Sequence, residues 1–233
     1  MLGWAMNVAA VLGLDLKMTE VGKKIKPVLP RLQFITLDLP SLSHVAQAEQ
    51  ACQGGVRWVQ LRAKGLPPLA WIELARAVLK VCRAHGATFI INDSVEVAAQ
   101  VGADGVHLGA TDASPLLARQ RLGAHALIGV TLNYPRDLDR LTLGAPNYAG
   151  LGPFRATDSK PGHAPVHTPT ALKELVQQVP LPTFVIGGVT QADFSAIQTL
   201  GAHGVALSAA IARAASPQQA AAQLCAAAAK TWI

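Results

Sequence analysis

Gln60, Arg62 and Lys64 stand two residues apart in the run Q-L-R-A-K at 60–64. In an extended strand that spacing turns all three side chains to one side. An arginine fork beside a lysine point charge suits phosphate oxygens, although a solvated strand end would use the same residue types. Further along, Asn92-Asp93 and Asp112 carry two carboxylates toward what should be neighbouring loops. Two carboxylates beside a basic pair describe a Mg2+ site that takes phosphate oxygens as its remaining ligands. The plainer role for either aspartate is a helix cap or a turn, and Asp93 heads a helical stretch, so it can serve as both.

A second group gathers later in the chain. G-L-G-P-F-R-A-T-D-S-K-P-G at 150–162 is a strand running into a long loop, in which Thr157, Ser159 and Lys160 are spaced as donors. Such a loop can close over an anion, or it is an ordinary surface loop. Ile186-Gly187-Gly188 and Leu207-Ser208-Ala209 end two further strands. Glycine there lets backbone N–H groups approach a phosphate, while close packing would also require it. His163 and His167 are four apart, but Pro165 between them argues against a helix and hence against a zinc pair. His107 reads as a hydrogen-bonded strand-end histidine rather than a catalytic base.

The elements that must hold these residues alternate. Apolar, β-branched runs at 32–38, 56–61, 88–92, 105–108, 127–131, 148–152, 183–186 and 204–207 are separated by stretches of helical period at 42–52, 67–84, 94–101, 114–122, 135–142, 169–178, 190–199 and 216–230. Strands that are apolar throughout suit a parallel sheet covered on both faces. The expected fold is α/β, a single (β/α)8 TIM barrel over residues 31–233, with an open doubly wound sheet as its rival. Units of roughly 25 residues lie at the compact end of the barrel range. Two signals favour the barrel. G-A-D-G-V-H-L-G-A at 102–110 is echoed by G-A-H-G-V-A-L-S-A at 201–209, as repeated units would produce. Thr131, Asn133 and the polar residues above all sit where strands end, the face that carries the active site in such barrels.

Composition sets the outer limits. Of 233 residues, 51% are hydrophobic and only 15% charged, which excludes intrinsic disorder. Aromatics are 5%, so a mainly aliphatic core is expected. The net charge of +6 comes without any Lys/Arg-rich run, so it gives no support to a nucleic-acid partner; it leaves open anionic small molecules and an indifferent basic surface, the commoner case. Cys52, Cys82 and Cys225 are far apart and form no C-x-x-C, which indicates neither a disulfide framework nor a thiolate zinc site and fits a reducing cytoplasm. Residues 1–30 begin apolar but lack a basic leader and are interrupted by Asp15 and Lys17. They suit neither a membrane span of about 20 apolar residues nor a signal peptide. With Lys23, Lys24, Lys26, Pro27 and Pro30 following, they are expected to be an N-terminal extension or an over-long start, mobile as termini commonly are.

Taken in order, Q-L-R-A-K, I-N-D-S, G-A-D-G-V-H-L-G-A-T-D, I-G-V-T, G-L-G-P-F-R-A-T-D-S-K and I-G-G-V closely resemble the thiamine-phosphate synthase family, from about Leu32 to Ala212. The resemblance implies an enzyme that joins hydroxymethylpyrimidine diphosphate to thiazole phosphate with Mg2+, releasing pyrophosphate. It implies that Gln60, Arg62, Lys64 and Asn92 hold the pyrimidine diphosphate and that Asp93 and Asp112 ligate Mg2+. Thr131 stands where the family usually has Ser. Thr157, Ser159 and Lys160 match its lid over pyrophosphate, with Arg62, Lys64 and Lys160 as the catalytic cations, and Gly188 would offer a backbone N–H to the thiazole phosphate. Self-association is also implied. Ala110-Thr111, His203 and Ala209 depart from the family pattern, and the last two bear on thiazole phosphate. A thiazole tautomerase on the same barrel and a non-catalytic phosphate-binding paralogue are the alternatives.

Overall fold

The structure, a computed structural model, describes residues 29–157 and 165–233. Ser159, Lys160, His163 and most of the expected extension lie outside these residues. Eight strands, β1 (Leu32–Ile35), β2 (Trp58–Leu61), β3 (Thr88–Asn92), β4 (Gly105–Leu108), β5 (Leu127–Leu132), β6 (Tyr148–Leu151), β7 (Thr183–Ile186) and β8 (Gly204–Leu207), pair in parallel and in chain order. β1 pairs with β8, so the sheet closes. The barrel expected from the sequence is the observed fold.

Period two within each strand divides the apolar residues into two cores. In β2, Val59 and Leu61 face outward into the layer between sheet and helices, while Trp58 faces the barrel interior. The interior layer also holds Leu29, Ile90, Leu127, Tyr148, Phe184 and Ala206. Trp58 meets Tyr148 and Phe184 edge-on, each at a centroid distance of 4.8 Å. The core is mainly aliphatic as expected, with three of its few large rings gathered in the inner layer.

Helices α1 (His44–Gln53), α2 (Pro68–Ala84), α3 (Val95–Val101), α4 (Pro115–Leu122), α5 (Pro169–Gln178), α6 (Phe194–Thr199), α7 (Ala209–Ala212) and α8 (Pro217–Thr231) complete the units. Three start at a Ser/Thr-Pro pair, in which Ser114, Thr168 or Ser216 accepts a backbone N–H three residues on. Proline at the first helical position lacks only an N–H that would be unsatisfied there. The segment Pro135–Thr142 is a 3₁₀ helix rather than an α-helix. Leu138 and Leu141 pack against the core but no side chain is fully buried, and the three-residue spacing of that contact suits three residues per turn. The stretch expected as one helix at 190–199 opens as a 3₁₀ turn, Gln191–Asp193, before α6. The four-residue α7 is an element that sequence periodicity did not separate.

His203 precedes β8, at the end of the strand opposite the mouth. Its Nε2 lies 2.9 Å from the Leu29 carbonyl and its Nδ1 2.8 Å from an Arg31 guanidinium nitrogen. Leu29 is buried in the inner layer, so barrel packing begins there. Among the described residues no helix is long and apolar enough to cross a membrane.

Candidate active site

The strand ends surround a cavity of about 400 Å3. Every described residue expected at the site lines it: Gln60, Arg62, Lys64, Asn92, Asp93, Asp112, Thr131, Thr157 and Gly188. β2 carries Gln60 in its last turn of pleat, with Arg62 and Lys64 continuing the same face; Gln60 and Arg62 are buried and Lys64 is exposed at the rim. The backbone of Arg62 is fixed from β1, since its N–H donates to Thr36 Oγ1 at 3.1 Å. Thr36 is itself wholly buried and lies 2.9 Å from His44 Nδ1.

The two aspartates are held by different local devices. Asp93 has φ 66°, in the left-handed region, and its N–H donates to the His107 carbonyl. Asparagine and aspartate tolerate this conformation better than other non-glycine residues, at a cost of about 1–3 kcal/mol. The cap of α3 is Ser94, whose Oγ accepts from Val97 N, so Asp93 does not serve as the helix cap. Asp112 Oδ2 accepts from Gly109 N at 2.6 Å, which ties it into a turn. A Cβ on Gly109 would lie 2.9 Å from that oxygen, so the turn admits only glycine without a shift.

Among the described residues no group of three or more His, Cys, Asp or Glu side chains is gathered as a metal cage. The donor set at the mouth is instead two carboxylates on adjacent loops beside Arg62 and Lys64. That set fits Mg2+, which commonly uses one or two carboxylates and completes its shell with water and substrate phosphates.

The loop after β6 is anchored at both of its described ends. Phe154 N and Arg155 N donate to the carbonyls of Ile186 and Gly187, each at 2.9 Å. The Arg155 guanidinium grips the Asp193 carboxylate bidentately and donates to the Gly188 carbonyl. On the far side, His167 Nε2 lies 3.1 Å from the Gly152 carbonyl. Arg155, followed by hydrogen bonds from Thr190, pulls the Asp193 carboxyl down to about 2. Gly187 and Gly188 have φ of 94° and 65°, and a Cβ on either would come within 2.7 Å of Pro153 or Arg155. The glycines therefore make room for the loop base as well as lining the cavity. Beside them, at the end of the neighbouring strand β8, Ser208, Ala209 and Ala210 line the cavity at the start of α7. His203 is not among the lining residues, so its departure from the family pattern concerns the closed end of the barrel.

Gln33, Tyr148 and Asn133 are the residues that chemistry-directed reading of the sequence passed over or left without a role. Gln33 and Asn133 line the cavity, and Tyr148 lies beneath it. His107 is hydrogen-bonded as expected, with Nε2 2.9 Å from Thr131 Oγ1 and Nδ1 3.2 Å from Tyr148 Oη. The available signal was glycine inside strands: a Cβ on Gly129 would lie 2.4 Å from Tyr148 Oη and 2.5 Å from His107 Nδ1.

Residues 32–211 match the model of the thiamine monophosphate synthase family. A thiamine-phosphate synthase of Laribacter hongkongensis is 42% identical over 169 residues, covering 72% of this chain and 80% of that protein. Another, from Phocaeicola vulgatus, is 38% identical over 191 residues, covering 80% and 92% respectively. Among solved structures, a thiamine phosphate pyrophosphorylase from Pyrococcus furiosus is similar at a TM-score of 0.77 and 25% identity, covering 86% of this chain and 96% of its own. The family match runs from the first residue of β1 into α7 and so takes in all eight strands and the whole mouth; the chain belongs to the thiamine monophosphate synthase family.

Proposed function

We propose that this enzyme is a thiamine-phosphate synthase that joins hydroxymethylpyrimidine diphosphate to thiazole phosphate, giving thiamine phosphate and pyrophosphate. The observation that carries the reading is the meeting of Arg62 and Lys64 with Asp93 and Asp112 in one mouth cavity, on a chain of this family. Breaking the bond between the pyrimidine methylene and diphosphate sends the electron pair to the leaving oxygen. The methylene is left as a cation, and the thiazole nitrogen lone pair closes the new C–N bond. The demand is for charge stabilisation on the departing oxygens rather than for a nucleophile on the protein. Arg62 and Lys64 supply it from just past the end of β2, and Thr157, Ser159 and Lys160 from the loop after β6, the last two assigned by motif alone. Mg2+ held by Asp93 and Asp112 would add positive charge to the same diphosphate oxygens. Gln60, Asn92 and Thr131 hold the pyrimidine diphosphate, and the Gly188 N–H faces the thiazole phosphate. A covered mouth keeps water from quenching the cation to the alcohol.

An isomerase acting as a thiazole tautomerase needs a proton-transfer residue at the mouth. The one imidazole among the described lining residues is His107, and both its nitrogens are engaged, by Thr131 and Tyr148. We place the enzyme in the cytoplasm, which suits three free cysteines, of which Cys52 and Cys82 are buried; self-association rests on the family resemblance. Purified chain supplied with both phosphorylated substrates and Mg2+ should form thiamine phosphate, and a chelator should stop it. Folded protein that forms none would refute the synthase reading. A thiazole tautomerisation assay then separates the isomerase from a non-catalytic binder.

A further inference from the structure

A hydrogen-bond chain crosses the floor of the cavity through five strands. Gln60 Nε2 on β2 donates to Gln33 Oε1 on β1 at 3.3 Å, and Gln33 Nε2 donates to Tyr148 Oη on β6 at 3.4 Å. Tyr148 Oη then meets His107 Nδ1 on β4, and His107 Nε2 meets Thr131 Oγ1 on β5. Gln33, Gln60 and Tyr148 are 2%, 1% and 0% exposed, so water does not substitute for these partners. Gly129 and Gly150 leave the space that Tyr148 and His107 occupy.

The chain has a direction. A phenol carries one proton, and burial keeps Tyr148 protonated by pushing its pKa up. Because the Gln33 amide N–H points at Oη, the phenol proton goes to the other neighbour, His107 Nδ1. The imidazole is therefore protonated on Nε2, which donates to Thr131 Oγ1, and the threonine's own proton turns away from the ring. At the opposite end one Gln60 amide N–H is spent on Gln33, which fixes the amide's orientation, so that Oε1 is the acceptor it offers beside its second N–H.

We propose that this relay sets the polarity of the pyrimidine subsite, with Gln60 Oε1 as acceptor and the Thr131 hydroxyl as donor, and that Gln33, Tyr148 and His107 are positioning residues for substrate selection. The inference rests on the pyrimidine substrate proposed above. A heterocycle bearing an exocyclic amine and an unprotonated ring nitrogen matches the pattern. Its oxo counterpart sets a carbonyl oxygen against the Gln60 oxygen, and a buried polar atom left without a partner is the strongest basis for rejection.

Two measurements test it. Nitrogen-15 NMR of the intact protein labelled at histidine, with His107→Gln assigning the signal, should show His107 protonated on Nε2 alone. Protonation on Nδ1 would reverse the relay and overturn the proposal, whatever the substrate is. Steady-state rates with the amino and oxo pyrimidine diphosphates should then show the preference for the amine narrowing about tenfold in Tyr148→Phe, a loss of the size expected for one buried hydrogen bond. The KM for thiazole phosphate should stay unchanged. An equal fall for both pyrimidines would overturn the selection role. Gln33→Met breaks the neighbouring link and replaces Tyr148→Phe if that variant does not fold. Wild-type protein that turns over neither pyrimidine would refute the proposed function, while the tautomer still decides the polarity of the relay.

Discussion

At the scale of single residues, Asp93 and Asp112 differ in what holds them, and that separates their substitutions. Asp93 sits at φ 66° and leaves the capping of α3 to Ser94. Asparagine tolerates the same backbone. Asp93→Asn should therefore abolish Mg2+-dependent turnover while leaving the melting temperature near that of the parent. Asp112→Asn should also abolish turnover, with some loss of stability, because Oδ2 closes the Gly109 turn. A rate like the parent's in either variant would refute the metal assignment. Lys160→Ala should lower the rate by roughly 10²–10³ if it is a preorganised donor to the leaving group; single-turnover rates at saturating substrate would show it. Gln60, Arg62 and Lys64 were legible in sequence because period two and charge type coincide. Gln33 and Tyr148 were not, because their partners come from other strands and polar residues inside a strand announce no direction.

At the scale of elements, the loop after β6 depends on β7 more than on itself. Its base is pinned through Arg155 to the Asp193 carboxylate and the Gly188 carbonyl. Arg155 is half-exposed but Asp193 is buried, so losing Arg155 leaves a buried carboxylate held by Thr190 alone and costs stability as well as order at the loop base. Arg155→Ala should raise the KM for the diphosphate substrate and lower kcat, with a modest fall in melting temperature from the unpaired Asp193 carboxylate. A large drop in melting temperature with unchanged kinetics would mean that the pair serves only the fold. The helical stretches read from period at 114–122, 169–178 and 216–230 begin within a residue of the Ser/Thr-Pro starts, since capping and proline chemistry are local. The 3₁₀ form of Pro135–Thr142 was not legible, because over eight residues an apolar spacing of three suits either kind of helix. Arg155 likewise read as one more cation of the loop motif, and its partner Asp193 lies 38 residues away.

At the scale of the whole molecule, the order of strands and the closed barrel followed from counting apolar runs, while the closed end had to be seen. There Leu29, Trp58, Leu127 and Phe184 fill the interior, and His203 ties the chain entry to β8 through Leu29 and Arg31. Burial lowers the His203 pKa below its usual 6.5, and Arg31 adds to the effect. A histidine with a depressed folded-state pKa stabilises fully above the unfolded value and loses that contribution as pH falls through the folded one. The melting temperature of the parent should therefore decline below pH about 6.5 more steeply than that of His203→Gln, and parallel curves would contradict the tie. The net charge of +6 carried little of this; the proposed function rests on the arrangement of a few cations around two carboxylates. That arrangement makes one direct demand. When both phosphorylated substrates and Mg2+ are supplied, thiamine phosphate and pyrophosphate should be measured in equal amounts from a single reaction. Pyrophosphate released with pyrimidine alcohol and no thiamine phosphate, or no release at all, would contradict the account.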